Sequence, residues 1–147
     1  MAVDMDGEER IVASVARVWE ALNDPAILKA CIPGCETLEM TTPTLLEATV
    51  VLKIGPIKAK FNGQVNLTNL NAPHSYTIVG EGKGGVAGFA KGGADVTLTA
   101  EDENVTVLRY KARADVGGKM AQLGSRLLQS TSKKLAGQFF SDFAKKV

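Results

Sequence analysis

One histidine, two cysteines four positions apart and a glycine triplet are the residues of this chain whose types and spacing could do chemistry. His74 could serve as a general base, Cys31 and Cys35 could bind metal or cycle redox states, and Gly80-x-Gly82-x-x-Gly85 has the spacing of a dinucleotide loop.

Sequence context weakens each of these. His74 sits in Asn71-Ala-Pro-His-Ser75, a turn composition that places it in solvent. Cys31-Ile-Pro-Gly-Cys35 is not a Cys-x-x-Cys pair, and with a single histidine far along the chain a zinc site lacks ligands. Both cysteines read as free thiols in a helix-to-strand turn. A dinucleotide loop needs a helix opening after its glycines, whereas a further strand-like, glycine-rich run follows Gly85. Neither a Gly-Lys-Ser/Thr phosphate loop nor a Gly-x-Ser-x-Gly elbow occurs. The carboxylates Glu47, Glu81 and Asp95 alternate with apolar residues in their strands, where solvation or cross-strand pairing with lysine is expected. No catalytic residues and no cofactor or metal are expected from these patterns.

Composition narrows the class further. Seventeen basic against sixteen acidic side chains give a net charge of +1, too balanced for the footprint of a nucleic-acid binder. A length of 147 residues fits one domain, residues 1–147, able to bury a full-sized core. The acidic start Met1-Ala-Val-Asp-Met-Asp lacks a signal-peptide pattern, and no apolar run reaches the length of a membrane span. The expected location is the cytoplasm.

These residues must be positioned by a strand, two short helices, a series of strands and a terminal helix. Glu8 to Val12 reads as an edge strand. Ser14 caps Val15–Leu22, whose Val15, Val18, Trp19 and Leu22 share one face, and Asp24-Pro25 opens a second short helix that ends at Pro33-Gly34. The period then becomes 2. Ala48, Val50, Leu52 and Ile54 lead through Gly55-Pro56 into Ile57, Ala59, Phe61, Gly63, Val65 and Leu67, a hairpin with both inner faces on one core. Residues 76–83, 94–100 and 105–114 continue the alternation as antiparallel strands. Their inner positions are small at one end, Gly80, Gly82, Ala94, Ala112 and Ala114, and bulky at the other, with Tyr76, Ile78, Val96, Leu98, Leu108 and Tyr110. A tapered interior follows, and small inner residues leave room for a hollow.

From Lys119 to Val147 the residues Met120, Leu123, Leu127, Thr131, Leu135, Phe139, Phe143 and Val147 recur at steps of three or four, which predicts one long amphipathic helix. The fold class is α+β: about six to seven antiparallel strands in a curved sheet around a long C-terminal helix, with two short helices after the first strand. Phe89 has outward parity unless Gly92-Gly93 forms a bulge that turns it inward, and both orientations stay open.

Several linked motifs carry a resemblance. Val18-Trp19-Glu-Ala-Leu-Asn-Asp-Pro25, Cys31-Ile-Pro-Gly-Cys-Glu36, Lys53-Ile-Gly-Pro-Ile-Lys-Ala59, Gly80-Glu-Gly-x-Gly-Gly85, Ala87-Gly-Phe-Ala90 and Val116-Gly-Gly-Lys-x-Ala-Gln-Leu-Gly124 span nearly the whole chain. Together they resemble the CoxG family of carbon monoxide dehydrogenase subunits, itself similar to START-like, or helix-grip (SRPBCC), domains. The resemblance implies a non-catalytic accessory protein of a molybdenum-containing carbon monoxide dehydrogenase, with molybdenum hydroxylase subunits as partners. It also implies an apolar cavity as a quinone or lipid site, and peripheral contact with the inner face of the cytoplasmic membrane. On that reading Val50, Leu52, Phe61, Val65, Tyr76, Ile78, Leu108 and Tyr110 line the cavity from the sheet. Met120, Leu123 and Leu127 line it from the helix, with Gly84, Gly85 and Phe89 near the entrance. The alternatives are a pure assembly module whose hollow is filled by side chains, and a START-like cyclase or hydrolase.

Overall fold

The computed structural model describes all residues from Met1 to Val147. The strands are β1 (Ala2–Ile11), β2 (Cys35–Thr42), β3 (Leu45–Ile54), β4 (Ile57–Asn71), β5 (Ser75–Lys83), β6 (Phe89–Asp102) and β7 (Val105–Gly117). The helices are α1 (Val15–Leu22), α2 (Pro25–Cys31) and α3 (Ser125–Lys146), with short 3-10 turns at Gly85–Ala87 and Gly118–Leu123. All seven strands form one antiparallel sheet in the order β1-β7-β6-β5-β4-β3-β2.

The short helices form where their caps predict. Ser14 Oγ accepts from Arg17 N–H at 3.2 Å, the Asp24 carboxylate accepts from Ala26 N–H at 2.9 Å, and Pro25 fills the first helical position. Each bond satisfies a backbone donor that the first helical turn leaves unpaired. Val18, Ala21 and Leu22 of α1 are buried, so one face of this helix is core.

Three boundaries differ from the sequence reading. β1 begins at Ala2, because Val3 and Met5 continue the inward alternation that ends at Ile11. β2 adds a further edge strand between Cys35 and Thr42. The terminal helix does not run from Lys119. Gly118, at φ +77°, and Gly124, at φ +92°, bracket a 3-10 turn, and α3 starts only at Ser125. Left-handed glycines end one helical phase and permit another. At 1.5 Å per residue the remaining helix is about 33 Å long.

Strand register puts the inner side chains in rows across the sheet. One row reads Ala48, Gly63, Gly82, Ala90, Val116, and the next reads Leu46, Val65, Gly80, Gly92, Ala114, Val3. Further along come Tyr76, Val96 and Tyr110 on adjacent strands, then Leu98 beside Leu108. The bulky end packs with α1 and the last turns of α3 in a cluster that includes Ile11, Val18, Tyr76, Leu98, Leu108 and Phe143. Trp19 meets Tyr76 edge-on at 5.3 Å, and Tyr110 stacks on Phe140 at 5.3 Å. A second cluster, containing Val3, Ile54, Phe61, Val116, Met120 and Leu128, closes the small-sided end.

Polar ties hold the layers in place. Buried Thr106 donates its hydroxyl to Ala13 O at 2.8 Å, fixing the start of β7 against the link into α1. Gln129 donates its side-chain amide to the Asp4 carbonyl, so α3 covers the outer edge of β1. Arg17 donates to Lys146 O at 3.3 Å, tying α1 to the end of α3.

Candidate functional site

The rows of glycine and alanine leave a hollow of about 540 Å³ between the sheet and α3. That volume lies within the range of small-molecule sites. Its floor is Gly63, Gly80, Gly82, Ala90, Gly92 and Ala114, and its walls are Val50, Leu52, Ile54, Phe61 and Val65 on one side with Val3, Met5 and Val116 on the other. Met120, Leu128, Ser132 and Leu135 cover it from the helical layer, and Ile32-Pro33 reaches it from the link between α2 and β2. The hollow is open to solvent rather than sealed.

A Cβ built at Gly82 meets nothing within 4 Å, so empty space begins at the backbone there. At Gly92 a Cβ would overlap the Arg113 carbonyl oxygen and lie 2.7 Å from Ala114 Cα. The two glycines have different physical origins: one borders open volume, the other lets β6 and β7 approach.

Chemistry in the hollow is sparse. Ser132 is the one hydroxyl among its lining residues, and that hydroxyl donates to Leu128 O at 2.8 Å. Glu81, Lys91 and Arg113 touch the space, but they alternate with the inward residues of β5, β6 and β7 and are exposed on the other face of the sheet. A larger groove of about 900 Å³ shares Gly92 and Gly93 with the hollow, but charged residues such as Asp4, Asp6, Lys91, Asp95, Lys111 and Arg113 border it. Its charge and openness suit water better than an apolar ligand. No three His, Cys, Asp or Glu side chains converge as metal ligands.

The structure brings Val50, Leu52, Phe61, Val65 and Met120 together around the hollow. It places the other expected lining residues elsewhere. Tyr76 and Leu108 are buried in the bulky cluster, with Ile78 and Tyr110 packed against it. Burial pushes the Tyr76 phenol well above its ordinary value, and the Tyr110 phenol is raised by burial and then by the charges of Glu9 and Asp6. Both rings serve packing. Leu123 packs against the small-sided cluster, and Leu127 lies over Gly55. The break at Gly124 shifts the helical phase, so Leu128, Ser132 and Leu135 face the hollow.

Phe89 keeps its outward parity. It is 48% exposed, pairs with Gly117 and lays its ring over that glycine, so Gly92-Gly93 does not turn it inward. Gly84 packs against the Phe61 ring, and Gly85, at φ +60°, turns the chain beside it. Neither glycine lines the hollow. His74 is exposed in its turn. Cys31 is buried and Cys35 partly so, both as free thiols, and burial raises the pKa of each.

Sequence reasoning missed Val3, Met5, Leu128, Ser132 and the Ile32-Pro33 contribution. Extending the β1 alternation to Ala2 would have found Val3 and Met5. Ile32-Pro33 carries no periodic signal, because it reaches the hollow only through the packing of α2 against β2 and α3.

The family described as the CoxG component of carbon monoxide dehydrogenase matches residues 7–147. The chain belongs to this family. The CoxG match runs from Gly7 in β1 to the end of the chain, and so takes in every other strand and helix that borders the hollow. A solved structure of a conserved protein from Geobacillus kaustophilus is 32% identical, with a TM-score of 0.92, covering 98% of this chain and 94% of that one. The fold is shared more widely. A START superfamily protein from Mycobacterium smegmatis superposes with a TM-score of 0.66 at 15% identity, covering 97% of this chain and 92% of its own. An aromatase/cyclase from Streptomyces superposes with a TM-score of 0.73 at 9% identity, covering 99% and 93%. At such identities the likeness concerns the helix-grip fold alone. No curated protein sequence matches the chain. No helix is long and apolar enough to cross a membrane.

Proposed function

We propose that this CoxG family member is a non-catalytic accessory protein of a molybdenum-containing carbon monoxide dehydrogenase. It holds an apolar ligand, a quinone or a lipid, between sheet and α3, and aids association of the enzyme with the cytoplasmic membrane. The observation that carries the reading is the open hollow of about 540 Å³ walled by aliphatic side chains, Phe61 and Met120. A ligand that removes about 200 Å² of apolar surface from water there gains about 5 kcal/mol before immobilisation costs are subtracted. Family membership supports the dehydrogenase as partner.

The arrangement favours holding over turnover. General acid–base catalysis needs a titratable group within hydrogen-bond reach of the reacting atoms. Here the charged side chains nearest the hollow project from the opposite sheet face. Substituting Glu81, Asp95 or His74 by Ala is expected to leave biological activity intact.

The deciding experiment is titration of the purified protein with a short-chain quinone, together with mass spectrometry of extracted lipids. Native protein is expected to bind saturably, and Gly82→Leu, which fills the space above the glycine, to lose at least about tenfold in affinity while unfolding at the same temperature. Equal quinone binding by both proteins, with no extracted lipid, would instead favour a pure assembly module.

A further inference from the structure

Three connections meet at the small-sided end of the sheet: the β3–β4 turn at Gly55-Pro56, the β5–β6 connection through Gly85–Ala87, and the β7–α3 link through Gly118–Leu123. The segments 53–60, 82–94 and 116–134 around them contain lysine and arginine but no aspartate or glutamate. Some of this charge is answered. Lys60 pairs with Glu36 at 3.2 Å, and Lys91 lies in register between Glu81 and Asp115 on the neighbouring strands.

Lys53, Lys58, Lys83 and Lys119 are different: all four are exposed and form no ion pair. Lys53 and Lys58 lie directly opposite each other across the hairpin, an arrangement of like charges that costs stability. Apolar surface is exposed at the same end. Val86 at the tip is 84% exposed, and Phe89, 48% exposed, sits directly across from Lys83. The opposite end of the sheet carries the acidic β6–β7 turn with Glu101, Asp102 and Glu103, so the charge is polarised along the strands.

We infer that this loop end is a docking surface for an anionic lipid bilayer, with Val86 and Phe89 in the interfacial layer and the four lysines at the lipid phosphates. Exposed apolar side chains ringed by unpaired lysines match a surface that is negative outside and apolar beneath. A negatively charged bilayer would also repel the acidic end and orient the domain. The inference rests on the membrane-association part of the proposed function and is independent of what occupies the hollow.

Flotation of the full chain with vesicles of phosphatidylglycerol and phosphatidylcholine, against vesicles of phosphatidylcholine alone, tests it. Binding is expected only to the anionic vesicles and is expected to fall as salt is raised. Lys83→Glu with Lys119→Glu, and separately Val86→Ser with Phe89→Ser, are each expected to lower partitioning by about tenfold or more, with quinone binding and thermal unfolding unchanged. Gly82→Leu is expected to float normally while losing quinone, so loss of the ligand reading leaves this one standing. Failure to float, equal flotation on neutral vesicles, or native partitioning by both double variants overturns the inference. So does a double variant that floats normally but no longer co-purifies with the dehydrogenase, which would make this end a protein contact.

Discussion

Gly80 and Gly92 are direct cross-strand partners on the inner face of the sheet, flanked by Val65 on β4 and Ala114 on β7. Two adjacent strands therefore present no side chain where the layer above must be met. α3 supplies Leu128, Ser132 and Leu135 over this bare patch, and the distance they leave unfilled is the hollow. At the other end of the sheet, rings from the sheet and α3 fill the corresponding space with close aromatic contacts. The contrast between the two ends lies in side-chain volume along the strands.

Two glycines on this face are expected to respond oppositely to the same substitution. Gly82→Ala adds a methyl into open space, and restricting the unfolded chain makes it neutral or stabilising by about 0.5 kcal/mol. Gly92→Ala drives a methyl against the backbone of β7 and is expected to cost about 1–3 kcal/mol. Urea unfolding of the two variants measures the difference, and equal stabilities would contradict the close approach of β6 to β7.

Met120 is 3% exposed and belongs both to the small-sided cluster and to the wall of the hollow. Met120→Ala is expected to destabilise by about 2–3 kcal/mol, toward the low end for a buried methionine because one side of it already borders space. Leu123→Ala, on the same 3-10 turn but only partly buried, should cost less. A larger loss at Leu123 than at Met120 would mean that the turn is seated differently.

Burial raises the Tyr76 phenol above its ordinary value of 10.0, so the folded chain holds its proton when the unfolded chain has released it. The associated stability is fully present below about pH 10 and is lost as pH climbs from there toward the raised folded value. Tyr76→Phe is expected to flatten the alkaline fall in denaturant midpoint. A residual slope should remain from Tyr110, whose phenol is raised by burial and by Glu9 and Asp6. An unchanged slope in the variant would place Tyr76 in contact with water.

Much of this fold was legible in the chain. Alternation in Ile57–Leu67 and in the strands from Tyr76 to Ala114 set which side chains face inward, and the observed register keeps that parity at each of these strands. Ser14, Asp24 and Pro25 placed the short helices, because caps act through bonds within a few residues of themselves. The taper from Gly80 and Gly82 to Tyr76 was likewise visible, since a strand displays its side-chain sizes in order.

The sequence by itself determined the strand faces, the small-sided end and the family pattern, all of which depend on local period or residue type. Tertiary structure alone decided which inner residues border the hollow. Tyr76, Leu108 and Tyr110 share inward parity with Val50, Phe61 and Val65, but Trp19, Phe140 and Phe143 arrive over the first group, whereas the second meets open space. The phase of α3 was decided there too. Gly124 adopts φ +92° between two helical segments, and no apolar repeat written through that point could carry the count from Met120 to Leu128.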